Sequence, residues 1–404
     1  MKSIELLDDS LREGNSFDEF KKLITEFTAH TKAVKILGAD ITFLSSCKIE
    51  KIQSEGKSIF HVLSEENIEN FENYGYPIKA GALNVSDFGR ELIDECENTT
   101  QLIAIVDNEK FILSNIAMNT LARAVSLGGH GSKRSSLIRN LQIAESCYYK
   151  QDNMCLVYRE ATTDSGKLVK KVFGVMGDYY KLTPQTILIE AYDYMASIMD
   201  VKCYNWEITH ERTTLHIDLT EKTFDCNGTK IVPGLIFKTS DTGKSQFYVD
   251  LVFRVASNSS FSIVEEITHK HTSPLAIDEI MDDCNILIDK IEEQVLLFKE
   301  LESKTIKSDY DSINKVVDYL VKNLFSLPVK RMNNIINCTV DNLMDDPREL
   351  NLGDLAVAFL NIPEQQKDAL LNDVPLTEVR KDCAKLPDYL VNSKVVTRIN
   401  DLIA

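Results

Sequence analysis

The sequence lacks the long apolar run that a membrane helix requires. Its 404 residues contain no stretch that approaches the roughly 18 apolar residues of a membrane span. Acidic residues stand near the N-terminus where a signal peptide would have an apolar segment. Its nine cysteines include no Cys-x-x-Cys pair, so reduced thiols are expected rather than a disulfide framework or a structural zinc site. These absences predict a cytoplasmic protein.

The sequence also lacks an excess of basic residues. Its net charge is −17, made up of −9 for residues 1–110, +1 for residues 111–270 and −9 for residues 271–404. Since acidity repels polyanions, any contact with nucleic acid must come from the near-neutral middle. The basic cluster there lies around Gly128–Ser136 and consists of Arg123, Lys133, Arg134 and Arg139.

The length predicts two or three domains, and the pattern of elements predicts the α+β class. Residues 1–100 are interpreted as a mixed, acidic α/β region. Residues 101–272 are interpreted as a central, antiparallel β-rich domain with flanking helices. Residues 273–404 are interpreted as an all-α bundle that a long amphipathic helix enters.

Apolar spacing of three and four residues predicts several helices. The first covers 17–37, with Asn15 or Ser16 as its N-cap. Others cover about 116–125, 136–148 and 184–199. The long helix follows Pro274, because apolar residues from Ile277 to Phe298 repeat over about seven turns without Gly or Pro. Prolines then separate shorter helices: Pro328, Pro347, Pro363, Pro375 and Pro387.

Alternating and β-branched residues predict two hairpins, 102–106 with 110–113 and 154–158 with 168–173. In Thr214–Thr220, the side chains of Leu215, Ile217 and Leu219 share one face of a strand, and those of His216 and Asp218 share the other. The dipeptide Asn227-Gly228 predicts a tight turn between two strands.

Two segments could be taken for phosphate sites. Thr242-Gly-Lys-Ser245 resembles the end of a nucleotide loop, but that loop requires Gly where this chain has Lys238, and a strand follows instead of a helix. We therefore predict a hairpin turn there. The loop Gly128–Ser136 could hold a phosphate at the start of a helix, although a solvated connection between two helices is favoured.

Histidine and aspartate are candidate metal ligands. The candidates are His210, His216, Asp218, His269 and His271. The sequence does not show that their strands are adjacent, so we predict no metal and no cofactor. It also contains no G-x-S-x-G nucleophile motif. The expectation is a non-enzymatic protein.

Tyrosines in or beside the middle region could stack on bases, and cations lie near them. The alternative, which is favoured for most of them, is that these rings pack in cores. The residues predicted to bind nucleic acid are Arg123, Lys133, Arg134, Arg139, Tyr149 and Arg159.

The order of motifs in the middle region carries a resemblance. Gly177-Asp-Tyr-Tyr180 precedes a helix, Thr239-Ser-Asp-Thr-Gly243 forms a turn, a strand carries Arg254 with Asn258, and His271 closes the region. Over about residues 100–305 this order resembles the phage- and plasmid-associated family called domain of unknown function 932. The resemblance implies a mobile element inside a bacterial cell, and it implies that Asp178, Tyr180, Gly243, Arg254, Asn258 and His271 occupy the motif positions.

Two function classes remain open. The first is a phage or mobile-element accessory protein that binds single-stranded nucleic acid, such as single-stranded DNA, in replication, recombination or transfer. The second is an acidic interaction or structural protein that engages a host or phage protein, or a second copy of itself. It would act as an inhibitor of host defence or an assembly component. The second class rests on the two acidic flanks and the long helix, and it predicts an uncovered apolar stripe on the helix at 275–301.

Overall fold

The structure is a computed structural model. It describes Leu7 and residues 11–46, 77–78, 101–107, 109–127, 143, 146–147, 149–150, 152–162, 168–243, 245–270, 275–345, 348–365 and 376–404. Helices and largely antiparallel sheets are both present, which confirms the α+β class. Within these residues, no helix has the length and apolar character needed to cross a bilayer.

The elements are numbered in chain order. The strands are β1 Arg12–Gly14, β2 Thr31–Leu37, β3 Thr42–Ser46, β4 Pro77–Ile78, β5 Gln101–Val106, β6 Glu109–Leu113, β7 Asn153–Thr162, β8 Leu168–Gly177, β9 Val201–Ile208, β10 Thr213–Leu219, β11 Phe224–Cys226, β12 Thr229–Thr239, β13 Phe247–Val255 and β14 Ser262–His269. The helices are α1 Phe17–His30, α2 Asn115–Ala124, α3 Ile187–Ile198, α4 Ile277–Glu302, α5 Tyr310–Leu324, α6 Val329–Met344, α7 Leu352–Gln365, α8 Leu376–Ala384, α9 Leu386–Leu390 and α10 Ser393–Ile403.

Sheet A has the strand order β1-β9-β10-β12-β13-β14, with β11 paired to β12. Its inner face is apolar, because Leu215, Ile217 and Leu219 are buried in the main core as their alternation predicts. Asn227 and Gly228 join β11 to β12 with φ values of 51° and 83°. Positive φ at both positions is what a tight two-residue hairpin turn requires, so the predicted turn is confirmed.

Sheet B has the order β2-β7-β8-β6-β5-β3-β4. The two predicted hairpins are confirmed as β5–β6 and β7–β8. Strands β2 and β3, from the first hundred residues, pair with β7 and β5. Because these pairings join residues on both sides of position 100, the boundary predicted there does not separate two folding units.

Helix α1 begins as expected, with the Glu19 backbone N–H donating to the Ser16 hydroxyl at 3.4 Å. It ends at His30, and residues 31–37 form β2, so the prediction of one helix to residue 37 is wrong. The segment Thr31–Leu37 runs antiparallel to Asn153–Arg159 of β7. Tertiary pairing therefore overrides the local helical pattern.

The long helix α4 is confirmed, and its apolar side is covered. Ile280, Leu287, Ile291 and Phe298 are buried in one core with the inner face of sheet A. The helical tail is therefore docked on the sheet, and the boundary predicted at 272 does not divide the hydrophobic core. Pro363 lies inside α7, whereas the sequence pattern predicted a break between helices there.

Candidate ligand-binding cleft

The outer face of sheet A carries polar side chains at the positions that alternate with its core residues. Strand pairing aligns Thr214 with Lys238, His216 with Ile236, and Ile236 with Asp250. Directly paired residues point to the same side of a sheet, so these side chains share one face. His216 and Asp250 are fully or almost fully buried there. Such burial is unusual for titratable groups and marks this face as a candidate site.

Ion pairs hold part of this face. An Arg254 guanidinium nitrogen donates to Asp218 at 2.6 Å, and its central carbon lies 4.2 Å from the ring centre of Tyr204. Lys238 forms the corresponding pair with Asp250. Desolvation raises the pKa of both carboxyl groups, while the paired cations oppose that shift. Each of these buried carboxylates therefore has a cation of its own.

His216 lies between these pairs and has no hydrogen-bond partner among the described residues. Its Nε2 is 3.7 Å from an Asp218 oxygen, and neither ring nitrogen makes a hydrogen bond within the described chain. Burial, followed by the charges of Arg254, Arg380 and Lys238, lowers the pKa of His216 to about 3. The imidazole is therefore neutral near pH 7, with one N–H donor and one acceptor nitrogen.

Gly234 makes room for this ring. A Cβ atom at residue 234 would lie 2.6 Å from the backbone oxygen of Ile217 and 2.9 Å from Nε2 of His216. Both distances are shorter than real Cβ contacts, so any side chain here must displace the neighbouring strand or the imidazole. The glycine keeps the histidine seated on the sheet.

A cleft of about 800 Å³ opens over this face. We call it the sheet A cleft. His216, Ile236 and Lys238 line its floor, and its walls come from β1, from the loop before β14 and from α8. Sheet and helical tail therefore both contribute to the site.

Among the described cations that line the cleft, Arg380 of α8 is the one whose charge is available to a ligand. The central carbon of its guanidinium lies 3.9 Å from the ring centre of Phe261, and burial lowers its pKa to about 10. It has no ion-pair partner within the described residues, and its Nε makes no hydrogen bond there. By contrast, Arg212 lies 3.7 Å from Glu207, and Lys238 is paired within the sheet.

Arg159 does not belong to a nucleic-acid surface, and that prediction is wrong. Its side chain is fully buried between the rings of Phe27 and Phe173, at 4.7 and 4.9 Å from their centres. It pairs with Asp241 at 2.7 Å and lies 2.9 Å from Nδ1 of His210. The reason is its place on β7, where it faces the turn between β12 and β13 of sheet A.

The other predicted cations and the tyrosine are only partly described. Arg123 is exposed on α2, and Tyr149 is exposed over 68% of its surface. Lys133, Arg134 and Arg139 lie outside the described residues, as does most of the helix predicted over 136–148. The convergence of these residues on one groove therefore stays a prediction.

The motif residues of the family resemblance fall in three places. Tyr180 donates to the Ser240 carbonyl at 3.4 Å and Gly243 has φ 71°, so both lie where sheet B meets the β12–β13 turn. Arg254 donates to the carbonyl of Asn258 at 3.1 Å below the cleft. Asp178 is exposed and lies 2.8 Å from a lysine on β2. His271 lies outside the described residues.

The candidate metal ligands do not form one cluster: His216 and Asp218 lie 3.7 Å apart, and His271 lies outside the described residues. His210 stacks on Phe173 with a ring distance of 3.7 Å, while His269 lies 2.5 Å from Asp283. In the described part of the chain no three metal-ligating side chains come together. Antiparallel β12 and β13 flank Thr242–Ser245, as the predicted hairpin requires, although Lys244 itself lies outside the described residues.

Sequence reasoning missed Arg380 and Phe261 as site residues. Nothing in the local sequence of α8 indicates that its arginine lies over a β-sheet. A signal did exist on the strands, where His216, Asp218 and Asp250 alternate with apolar residues. A polar face on strands that are otherwise core-forming could have indicated a buried site.

The chain was also compared with known proteins. No family model matches it, and neither the curated proteins nor the solved structures gave a significant match. The resemblance to domain of unknown function 932 therefore stays a prediction.

Proposed function

We propose that this protein is a non-enzymatic accessory protein that binds single-stranded nucleic acid through the sheet A cleft. The setting implied by the motif resemblance is a phage or mobile element, acting in replication, recombination or transfer in the bacterial cytoplasm. The observation that carries the proposal is Arg380, a guanidinium without an ion-pair partner in the described chain, stacked on Phe261 in the cleft.

A guanidinium of this kind suits phosphate. Its planar fork donates two parallel hydrogen bonds to a phosphate group, and it is less strongly hydrated than an ammonium group. Partial burial strengthens the attraction because the local dielectric is low. Arg380 would therefore hold one phosphate of the bound strand.

The rings beside it suit bases. Phe261 and Tyr204 line the cleft and are only partly buried. Stacking on such rings contributes about 1–3 kcal/mol per base and requires little sequence specificity. A cleft of about 800 Å³ is within the usual size of small-ligand pockets, so it would take about one or two nucleotides of a strand.

The charge of the cleft limits the mode of binding. Glu13 and Glu207 line it beside the cations, and the whole chain carries −17. A long polyanion would find no continuous basic track here. With one phosphate neutralised, the slope of log K against log salt should be about −0.7, whereas four phosphates on the cluster near residue 128 would give about −3.

The alternative of an acidic interaction protein was based on the acidic flanks and on an uncovered apolar stripe of the long helix, and it loses the second of these supports. The apolar stripe of α4 packs against sheet A instead of facing solvent. A host or phage protein and a second copy of the chain stay untested as partners. The cleft geometry favours the nucleic-acid class.

The test is fluorescence anisotropy with a labelled single-stranded DNA of about twelve nucleotides. The titration is done across a salt series for the full-length protein and for Arg380→Ala. We expect the variant to bind about tenfold more weakly, as for loss of one charge-assisted hydrogen-bond pair. Arg398→Ala removes the same charge from an exposed site on α10 and should bind like the unmodified protein.

Arg123→Ala distinguishes the two possible sites. Loss of binding in this variant, with Arg380→Ala unaffected, would move the site to the basic cluster around Gly128–Ser136. Absence of binding by the unmodified protein at low salt would refute the proposal. Circular dichroism of each variant checks that the fold is retained.

A further inference from the structure

His216 is a buried polar group whose potential partner is missing. It lines the sheet A cleft, and neither imidazole nitrogen has a hydrogen-bond partner in the described chain. Leaving such groups unsatisfied costs about 1–3 kcal/mol each. A ligand that supplies the missing hydrogen bond recovers part of this cost, which makes His216 a point of selection.

Asp218 selects which nitrogen is the acceptor. Its Oδ1 also lacks a hydrogen-bond partner in the described residues and lies 3.7 Å from Nε2 of His216. A carboxylate at this position favours the proton on Nε2, because it attracts an N–H and repels a lone pair. Nδ1 is then left as a neutral acceptor, suited to an N–H donor on the ligand.

The aromatic rings connect this acceptor to the phosphate site. Phe261 lies 3.9 Å from the Arg380 guanidinium and 5.4 Å from the His216 ring, measured between ring centres for the latter. Tyr204 lies 4.8 Å from the imidazole on the same face of the sheet. Both ring nitrogens of His216 are closed to solvent in the structure, so the rings of Phe261 and Tyr204 must move apart before one nucleotide can bring its phosphate to Arg380 and its base edge to His216.

We infer that His216 is a specificity-determining residue that selects nucleotides whose base carries an exocyclic amino group, such as cytosine and adenine, over thymine, which has none. The inference rests on the proposed function. An amino group donates to the neutral imidazole. The thymine N3–H is flanked by two carbonyl oxygens, which would lie beside the acceptor nitrogen Nδ1 and weaken its hydrogen bond. A neutral acceptor at this position adds nothing for the phosphate, so His216 acts on base choice and Arg380 on overall affinity.

The test compares single-stranded oligomers of about twelve nucleotides made of dC, dA or dT, together with an abasic strand of the same length. The unmodified protein is expected to bind dC and dA about fivefold to tenfold more tightly than dT, as for one net hydrogen bond. His216→Phe should bring dC and dA to the affinity of dT. His216→Gln restores an acceptor and should recover part of the preference.

The outcomes separate the two claims. If the oligomers bind but the unmodified protein ranks them equally, or His216→Phe keeps the original ranking, His216 does not select the base and the proposed function stands. If no oligomer binds, both claims are refuted. If circular dichroism shows that His216→Phe does not fold, His216→Gln and the ranking of the oligomers by the unmodified protein still decide whether His216 selects the base.

Discussion

At the scale of single residues, the polar face of sheet A is built from contacts so close that they leave little space for a substituted side chain. Gly234 faces His216 across a strand pair, and His216 faces Asp218 along its own strand. Desolvation keeps the imidazole neutral, while Arg254 neutralises the carboxylate. Each group therefore has a defined charge state that the neighbouring residues impose.

Gly234→Ala tests the closest of these contacts. The new Cβ would meet a backbone oxygen at 2.6 Å, which cannot move without shifting β10. We expect a loss of about 1–3 kcal/mol in the free energy of unfolding, as for other overpacked sites. Urea denaturation measures it, with Thr377→Ala at the exposed rim of the cleft as the control. Equal stability of both variants would show that the strands accommodate the methyl group.

The depressed pKa of His216 gives a pH prediction. The imidazole titrates near 6.5 when unfolded and at about 3 when folded, so only the unfolded state gains a proton between these values. The contribution of the neutral His216 to the free energy of unfolding is therefore fully present above pH 6.5. It falls as the pH drops toward 3, by at most about 1.4 kcal/mol per pH unit. Asp218 and Asp250 have raised pKa values and act in the opposite direction.

The measurement is the free energy of unfolding at pH 7, 6, 5 and 4, with pH 7 above and the others below the unfolded pKa of about 6.5. His216→Gln removes the titrating group and should lose less stability on acidification than the unmodified protein. Arg254, Arg380 and Lys238, whose charges act on the imidazole, are present in both proteins, so their contributions cancel in the comparison. Parallel pH curves for the two proteins would contradict a neutral, buried imidazole.

At the scale of elements, local patterns predicted strands and helices well where the two periodicities differ clearly. The alternation in β10, the Asn227-Gly228 turn and the unbroken apolar spacing of α4 all appear in the structure. The pattern failed at β2, because a helical spacing continued into residues whose partners lie more than a hundred positions away. The local sequence around β2 does not indicate its pairing with β7.

Arg159 shows the same limit for the candidate site. Tyrosines and cations near Arg159 in the sequence favoured a binding surface, yet this residue of β7 lies against α1 and the β12–β13 turn. Arg159 forms an ion pair between the two sheets because the fold places Asp241, 82 positions later in the sequence, within hydrogen-bond distance of its guanidinium. The alternation of polar and apolar residues predicts the polar outer face of sheet A. It does not predict that Arg380 of α8 lies over that face.

The Arg159–Asp241 pair allows a double-mutant test of this junction. Arg159→Met leaves Asp241 buried without its cation and should cost about 3–5 kcal/mol of unfolding free energy. Adding Asp241→Leu removes the orphaned charge, so the double variant should be more stable than the single one. Chemical denaturation of the set gives the coupling energy. A double variant less stable than Arg159→Met would mean that the pair is not where the cost arises.

At the scale of the whole molecule, sheet A and the helical tail share one core, so the cleft and the docking of the tail depend on each other. Phe298 of α4 packs on Phe224 and Phe253 of the sheet, with ring centres 5.3 and 6.4 Å away. Arg380 reaches the cleft from the same tail. Loosening the tail should therefore reduce both stability and ligand affinity.

Phe298→Ala tests this coupling, with Leu296→Ala on the exposed side of the same helix as its matched control. Substituting the buried phenylalanine should lower the free energy of unfolding by about 3–5 kcal/mol. Substituting the exposed leucine should change it by no more than about 0.5 kcal/mol. Because sheet and tail share a core, thermal unfolding of the Phe298 variant should shift as one transition, and any affinity for single-stranded DNA should fall with it. A separate early transition for the tail, with the sheet unchanged, would show that the two parts fold independently. The cation of the cleft would then come from a docked domain, and its position over the sheet would depend on that docking equilibrium.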